Sequence, residues 1–182
     1  MKATRLAIPD VILLETTVFK DDRGFFYESF NQRLFEDAIG LSRHFVQDNH
    51  SRSNKNVIRG LHYQIKQPQG KLVRVILGEI FDVAVDLRTS SPTFGQWVGE
   101  RLSADHGKQL WIPPGFAHGF AVLSEHAELI YKTTDYWAPQ HECCIAWNDP
   151  QLKIQWPTQG EVRLSSRDRQ GALLKDAAAF ES

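Results

Sequence analysis

Short runs of β-forming residues separated by turn residues are the feature that most limits the folds open to this chain. The segment from Lys71 to Arg88 holds two such runs, at 72–77 and 80–87, with Gly78-Glu79 between them. Several runs of this kind are typical of a sandwich or barrel, and the glycine between two of them indicates a hairpin connection. With no internal repeat, linker or low-complexity tract, we expect one all-β domain over residues 1–182, an antiparallel β-barrel or jelly roll.

Helices are expected to be few, short and peripheral. Asn31 can cap a helix that ends before Gly40, because asparagine accepts from free backbone amides and glycine tolerates the left-handed conformation at a helix end. Its apolar face would be formed by Leu34, Phe35, Ala38 and Ile39. A second short helix is predicted around Gly171 to Phe180.

Composition excludes several classes of partner. The chain is 42% hydrophobic and 24% charged, with a formal net charge of -1, so charge gives no reason to expect nucleic acid or an anionic membrane. Pro9, Asp10 and Glu15 interrupt the first apolar run, and no run approaches the roughly 18 to 20 apolar residues of a membrane span. The adjacent Cys143 and Cys144 are poorly placed for an ordinary structural disulfide. We therefore expect a soluble cytoplasmic protein.

Strand alternation places three titratable side chains on apolar faces, because successive residues of a strand point to opposite sides. Singly, such residues are usually core tyrosines or lysines that reach water. Together they predict polar groups that converge in one cavity. The three faces are Lys71 with Val73 and Val75, Tyr131 with Ala127 and Leu129, and His118 with Phe120 and Val122.

Residues 107–118 resemble the second sequence motif of the cupin superfamily, with Gly107, Pro113, Gly115 and His118 at its spacing. Many cupins bind a metal through this histidine, an earlier HxH pair and a glutamate. Here the earlier segment has His62 but Gln64 in place of the second histidine. No glutamate follows at the expected spacing, and Lys71 adds a positive charge. An amide and a cation suit a divalent metal poorly, which disfavours a metal-dependent oxygenase.

Further segments resemble the dTDP-4-dehydrorhamnose 3,5-epimerase family, in consistent order from about residue 8 to about residue 175. They lie at 22–30, 47–49, 58–64, 69–71, 112–120 and 166–168. The resemblance implies a cupin-type β-barrel that converts dTDP-4-dehydro-6-deoxy-D-glucose to dTDP-4-dehydro-L-rhamnose for surface polysaccharide, without a metal or organic cofactor. It also implies a homodimer in which the N-terminal strand of one subunit completes the other's site, so that Arg23 and Glu28 act across the interface.

The reaction of that family explains the residue types. A carbon beside a ketone loses its proton as an enolate, which needs a base, a donor to the enolate oxygen and an acid on the opposite face. An imidazole suits the base, since the ordinary histidine pKa is roughly 6.5, and His62 takes this role. A buried ammonium stabilises negative charge, which suits Lys71. Tyr131 is predicted to be the acid, with its pKa lowered by a nearby cation.

The resemblance adds Asp168 as the partner that fixes the imidazole of His62. Arginine is suited to a diphosphate, because its guanidinium matches phosphate oxygens and keeps its charge. Aromatic rings for the thymine are expected from Phe19, Tyr136 and Trp137. Substrate-binding roles pass by resemblance to Arg23, Glu28, Gln47, Asn49, Arg59, Lys71, His118, Glu142 and Arg167.

Two local features do not fit the pattern simply. By strict alternation Arg59 and His62 point to opposite faces, so either Gly60 bulges the strand or Arg59 serves a differently placed part of the site. Arg167 stands where the resemblance leads us to expect lysine, a change that keeps the charge and alters the geometry.

Other functions remain open at this level. A related enzyme could invert a single carbon, and a cupin that only binds sugar nucleotides would need neither His62 nor Tyr131.

Overall fold

The computed structural model describes residues 1–181 and is built from β-strands joined by short connections. The strands are β1 (Lys2–Arg5), β2 (Ile12–Glu15), β3 (Phe19–Asp21), β4 (Gly24–Phe26), β5 (Gln47–Asn54), β6 (Ile58–Gln64), β7 (Lys71–Leu77), β8 (Glu79–Asp86), β9 (Trp97–Ser103), β10 (Lys108–Ile112), β11 (Phe116–Val122), β12 (His126–Thr133) and β13 (Glu142–Cys144). The helices are α1 (Gln32–Ile39) and α2 (Ser166–Arg169), with 3-10 turns at Ala104–His106, Pro139–His141 and Leu174–Asp176.

Two antiparallel sheets form the body of the molecule. One has the strand order β1-β2-β10-β7-β12-β5 and the other β13-β6-β11-β8-β9, while β3 and β4 form a separate hairpin. All pairings between these strands in the described part of the chain are antiparallel. The all-β prediction with short peripheral helices is confirmed.

The main core lies between the two sheets and follows the alternation in the sequence. Val73 and Val75 of β7, Leu129 of β12 and Phe120 of β11 are all buried in it. Their neighbours along each strand point outward, as the pleat of a strand requires. The faces predicted for Lys71, Tyr131 and His118 are therefore the inner faces of the two sheets.

Each outer face is covered by a different part of the chain. Helix α1 lays Phe35 and Ile39 over the six-stranded sheet, where Phe35 meets Trp111 edge-on with ring centroids 5.2 Å apart. Its predicted caps are confirmed: the Asn31 side chain accepts from the amide of Leu34, and Gly40 is left-handed. Leu34, expected on the apolar face, is exposed. On the five-stranded sheet, the outer face is covered by C-terminal residues that include Leu152, Ile154 and Leu174.

The hairpin predicted at Gly78-Glu79 is wrong. Strands β7 and β8 lie in different sheets, and Gly78, with a φ of 76°, turns the chain from one to the other. The amide of Glu79 donates a 2.8 Å hydrogen bond to the Ser124 hydroxyl, and this bond fixes the corner. A glycine between two β-runs predicts a turn but does not say whether the runs pair.

The helix predicted over residues 171–180 is also wrong. That segment contains only the 3-10 turn Leu174–Asp176. Ala172 forms a β-bridge with Ile145, and Phe180 forms one with Arg88. Pairing with distant residues therefore determines the conformation of residues 171–180 and overrides their local helix propensity.

A bulge in β6 resolves the alternation of Arg59 and His62. Across from β6, His118 pairs with His62 and Phe120 pairs with Arg59. Two residues apart on β11, His118 and Phe120 share the inner face, so their partners share it too. The extra residue falls at Gly60, whose φ is 121°. Of the two alternatives, the bulge is correct.

Among residues 1–181, no helix is long and apolar enough to cross a membrane.

Candidate active site

A cavity of about 180 Å³ opens at one end of the two sheets. Its walls come from β5, β6, β7, β12 and β13, together with the loop after β12. The lining residues are Gln47, Asn49, His62, Tyr63, Gln64, Gln69, Lys71, Tyr131, Trp137 and Glu142. The structure thus brings together three predicted catalytic residues and three predicted binding residues from distant parts of the sequence.

His62 and Asp168 form a hydrogen-bonded pair at one wall. Nε2 of His62 lies 2.6 Å from Oδ1 of Asp168, and the Asp168 residue is 3% exposed. The Ser165 hydroxyl donates to the other carboxylate oxygen at 2.7 Å and caps α2 by accepting from the amide of Asp168. Burial alone would raise the pKa of Asp168, but the hydrogen bonds from His62 and Ser165 outweigh it and lower that pKa.

This pairing determines which nitrogen of His62 can do chemistry. Asp168 holds Nε2, whereas Nδ1 makes no hydrogen bond within the part of the chain that the structure describes. An ionised carboxylate stabilises the imidazolium that forms when the other ring nitrogen takes a proton. Nδ1 is therefore the nitrogen available to remove a proton from a bound molecule.

Lys71 is buried at the floor of the cavity, where its Nζ donates to the carbonyl of His62 at 3.4 Å. Burial lowers the pKa of Lys71 to about 8, although the charges of Glu142 and Asp82 act in the opposite direction. At neutral pH the group is mostly an ammonium. A cation in a site this dry interacts strongly with any negative charge that develops beside it.

Tyr131 faces the same cavity from β12. Burial and the charge of Glu142 raise its pKa, and Arg59 only partly offsets them. The predicted lowering of this pKa by a nearby cation is therefore wrong, because loss of water outweighs one arginine. The phenol stays protonated at neutral pH, so it can act as a proton donor.

His118 lies beneath the cavity and pairs with a carboxylate that the sequence analysis missed. Its Nε2 is 2.9 and 3.0 Å from the two oxygens of Asp82, which is fully buried. Burial lowers the pKa of His118, and the charge of Asp82 offsets this only in part. Asp82 shares its face of β8 with Ile80 and Ala84, so the alternation argument applied to Lys71 could also have found it.

Gln64 holds the loop after β12 in place. Its amide nitrogen donates to the carbonyls of Gln67 and Tyr136, and its oxygen accepts from the amide of Ala138 at 2.8 Å. The residue that replaces a cupin metal ligand is therefore used to fix the loop carrying Tyr136 and Trp137. Both rings are exposed at the cavity mouth.

Side chains at the mouth are joined to one another by hydrogen bonds. Arg167 donates to Glu142 at 2.5 Å, and the Trp137 indole donates to the same carboxylate. Gln47 donates to Asn49 at 2.9 Å. Asn49 pairs directly with Tyr131 across the strands, so the two side chains share the inner face. Gln47 shares it too, because it lies two residues from Asn49 on β5.

Five predicted binding residues do not line this cavity. Two of them, His118 and Arg167, are described above, and the others are Arg23, Glu28 and Arg59. Arg59 is exposed on the inner face of β6 and donates to the Ser53 hydroxyl, close enough to affect Tyr131. Arg23 and Glu28 are exposed in the N-terminal region, where Arg23 pairs with Asp21 on the β3–β4 hairpin. A groove lined by residues of 19–26 lies there, and Phe19 belongs to it rather than to the cavity.

In chemical terms, the cavity offers a base, a buried cation and a neutral phenol from three different strands. Such a set can remove a proton beside a carbonyl, stabilise the resulting enolate and return a proton. Gln64, at the position of a cupin histidine ligand, and the Lys71 ammonium line this same cavity.

Comparison with known proteins gives the family. The model for dTDP-4-dehydrorhamnose 3,5-epimerases matches residues 5–176. The chain belongs to this family. It is 71% identical over 180 residues to the Pseudomonas aeruginosa protein named dTDP-4-dehydrorhamnose 3,5-epimerase, with 99% of each chain covered. The predicted family and enzyme class, an isomerase, are confirmed, and the oxygenase and the purely binding cupin are set aside.

Solved structures agree with this result and with the predicted cupin-type jelly roll. The Legionella pneumophila dTDP-6-deoxy-D-glucose-3,5-epimerase, solved with dTDP-4-keto-L-rhamnose, superposes with a TM-score of 0.95 at 51% identity, covering 97% of this chain and 94% of that one. A 3'-monoepimerase of Streptomyces bikiniensis, solved with dTDP-quinovose, also superposes, with a TM-score of 0.89 at 32% identity, over 96% and 88%.

Proposed function

We propose that this chain inverts C3 and C5 of dTDP-4-dehydro-6-deoxy-D-glucose to give dTDP-4-dehydro-L-rhamnose. One observation carries the proposal: His62, Lys71 and Tyr131 line a single cavity. The substrate is supported by the name of the Pseudomonas aeruginosa relative and by the sugar nucleotide bound in the Legionella pneumophila structure. The chain would act as one catalytic domain.

The proposed mechanism assigns one step to each group. Nδ1 of His62 takes the proton from the carbon beside the ketone, and Asp168 stabilises the imidazolium through Nε2. The electron pair moves onto the carbonyl oxygen, where the Lys71 ammonium stabilises the enolate. Tyr131 then gives a proton to the opposite face of the carbon, which inverts it. His62 then releases its proton to solvent and Tyr131 regains one from solvent. The same steps at the second carbon complete the reaction, and no step uses a metal or an organic cofactor.

The size of the cavity supports a division of the substrate. Sites for drug-sized ligands usually measure roughly 300 to 1,000 Å³, so a cavity of about 180 Å³ fits the sugar and leaves the nucleotide outside. At the mouth, Arg59 and Arg167 offer guanidinium groups for the diphosphate. Tyr136 and Trp137 offer exposed rings for the thymine.

A homodimer is part of this proposal. Arg23 and Glu28 lie away from their own chain's cavity, while Phe19, Phe25 and Phe26 are 62, 67 and 71% exposed on the hairpin. Exposed aromatic clusters of this kind usually mark contact surfaces. We place this hairpin against the partner subunit, where Arg23 and Glu28 would reach the partner's bound nucleotide.

We place the enzyme in the cytoplasm, where its product would feed dTDP-L-rhamnose synthesis for lipopolysaccharide or another surface polysaccharide. Unpaired cysteines such as Cys143 and Cys144 are common in a reducing compartment.

Solvent deuterium incorporation into dTDP-4-dehydro-6-deoxyglucose, followed by NMR, tests the reaction. Exchange at both C3 and C5, lost in His62→Ala, is expected. Exchange at C3 alone would instead favour a single-carbon epimerase, the activity named for the Streptomyces bikiniensis neighbour. If neither C3 nor C5 exchanges, the proposal is contradicted.

A further inference from the structure

A thiol lies directly beside the His62–Asp168 pair and has no part in the proposed reaction. Sγ of Cys144 is 4.0 Å from Oδ1 of Asp168. One ring nitrogen of His62, Sγ of Cys144 and a carboxylate oxygen of Asp168 all lie within 4.8 Å of one another, and Nε2 is the nitrogen that contacts Asp168. The three residues come from β6, β13 and α2.

The register of β13 on β6 builds this cluster. Cys144 pairs directly with His62, so the two side chains share one face. The preceding residue, Cys143, pairs with Tyr63 and packs with it into the core on the outer face. Of two adjacent cysteines, only Cys144 therefore reaches the pair.

These atoms match the ligand chemistry of zinc. Zinc in proteins takes sulfur, imidazole nitrogen and carboxylate oxygen at about 2.0 to 2.3 Å, which places tetrahedral ligand atoms roughly 3.3 to 3.8 Å apart. The separation of Sγ and Oδ1 is already close to this range. The 2.6 Å separation of Nε2 and Oδ1 has to widen, which a His62 side chain that is 27% exposed can allow.

The surroundings also resemble those of a metal site. Ligating carboxylates are usually held by a further hydrogen bond, and Ser165 donates to Oδ2 of Asp168 at 2.7 Å. His62 borders the cavity, so a fourth ligand can come from water there. A thiolate disfavours Mg²⁺ and Ca²⁺, which prefer oxygen.

We propose that Cys144, His62 and Asp168 form an inhibitory site for zinc. The metal would replace the hydrogen between Nε2 of His62 and Oδ1 of Asp168, and the thiol proton of Cys144 would leave to solvent. The proton displaced from Nε2 moves through solvent to Nδ1, so the ring stays neutral with zinc on Nε2 and a proton on Nδ1. The imidazole then has no free electron pair with which to remove a substrate proton.

This site differs from the metal position of other cupins. That position would use His62 itself with Gln64 and His118 on the inner face, where Lys71 opposes a cation. The site proposed here lies on the Asp168 side of the ring. Its inhibitory effect rests on the proposed role of His62 as base, whereas binding itself does not.

Metal binding is tested without turnover. The reduced protein is titrated with zinc by calorimetry and with Co²⁺ by absorption spectroscopy, in which a thiolate-to-cobalt charge-transfer band reports a sulfur ligand. We expect one zinc per chain and this band in the wild type and in Cys143→Ser. In Cys144→Ser, and in Cys144→Ala as a second variant, the band should be lost. Zinc should bind at least about 10-fold more weakly, since even outer-shell changes cost about 10- to 100-fold.

Inhibition is measured next, each variant against its own zinc-free rate. Zinc should inhibit the wild type and Cys143→Ser at concentrations at which Cys144→Ser is unaffected, and millimolar Mg²⁺ should inhibit none. An unchanged cobalt band in Cys144→Ser, or no zinc binding to the wild type, would overturn the proposal. Zinc bound through Cys144 without inhibition would overturn the inhibitory role and count against His62 as base. The proposed epimerisation is assayed separately, without metal.

Discussion

Burial acts on Lys71 and Tyr131 in opposite directions, although both line the same cavity. It lowers the pKa of the lysine to about 8 and raises that of the tyrosine, because loss of water penalises whichever form carries the charge. The lysine consequently titrates near working pH, while the phenol keeps its proton. The cavity thus has a cation that loses its charge as pH rises through about 8 and an acid that keeps its proton at that pH.

A pH profile of kcat/KM should reveal the lysine. We expect kcat/KM to fall as pH rises through about 8, because the protonated amine exists below its pKa and the neutral amine cannot stabilise the enolate. Arginine stays charged beyond pH of about 12. The residual activity of Lys71→Arg should therefore not decline as pH rises through about 8. A wild-type profile that is flat to pH of about 10 would contradict the assigned role.

Replacement of Tyr131 by phenylalanine should separate proton removal from inversion. Tyr131→Phe keeps the ring and removes the proton donor, so product formation should fall roughly 10² to 10⁴-fold. His62 can still remove a proton and return one to the same face. Deuterium should therefore still enter unreacted substrate, as NMR would detect. Equal loss of exchange and product would argue against Tyr131 as the acid.

Strand β6 joins catalytic geometry to a backbone requirement. The bulge at Gly60 turns both Arg59 and His62 toward the inner face. A Cβ at this position would lie 2.6 Å from Cα of Gly119 and 2.8 Å from the carbonyl oxygen of His118. Glycine is needed here because the neighbouring strand leaves no room and the φ of 121° strains other residues.

Gly60→Ala should accordingly lower the free energy of unfolding by roughly 2 to 4 kcal/mol, combining strain with a backbone clash. Gly40→Ala is the matched control, since Gly40 also has a positive φ but has nothing within 4 Å of an added Cβ. Its cost should be about 1 to 2 kcal/mol. Urea unfolding measures both, and equal losses would show that close packing at Gly60 is not important.

Gln64 connects β6 to the loop that carries the exposed rings. Gln64→Leu removes its bonds to Tyr136 and Ala138, so the loop should loosen. We expect KM to rise by roughly 10-fold with a smaller change in kcat, because two to three hydrogen bonds of about 1 kcal/mol each position the loop. Steady-state kinetics tests this, with Gln155→Leu at an exposed position as the control. A fall in kcat alone would contradict it.

At the scale of the whole molecule, the β3–β4 hairpin exposes a cluster of aromatic rings that the described residues of its own chain do not cover. Its three exposed phenylalanines and the position of Arg23 are explained together if a second copy covers them. A symmetric dimer with this contact would have two identical shared sites.

Mixed dimers test the shared site. His62→Ala and Arg23→Ala should each be impaired alone, but random mixing of subunits should restore about a quarter of wild-type activity, because half of the dimers are mixed and each has one intact site. A mixture of His62→Ala with Lys71→Met should restore nothing, since both residues lie in one chain's cavity. Failure of the first mixture, in verified mixed dimers, would place Arg23 outside the partner's site.

The sequence by itself determined the all-β class, helix α1 and the inner-face positions of Lys71, Tyr131 and His118. These features follow from local rules, namely capping chemistry and the two-residue period of a strand. The motifs near His62 and Asp168 also identified the family without reference to the structure.

Only the tertiary structure decided the features that depend on contacts between distant residues. Strand pairing placed β7 and β8 in different sheets and replaced the predicted C-terminal helix with β-bridges. The close approach of Gly119 required glycine at position 60, and burial raised the pKa of Tyr131 although Arg59 acts to lower it. Desolvation depends on all the atoms that folding packs around a group, and register depends on which strands pair. No local sequence pattern therefore determines either of them.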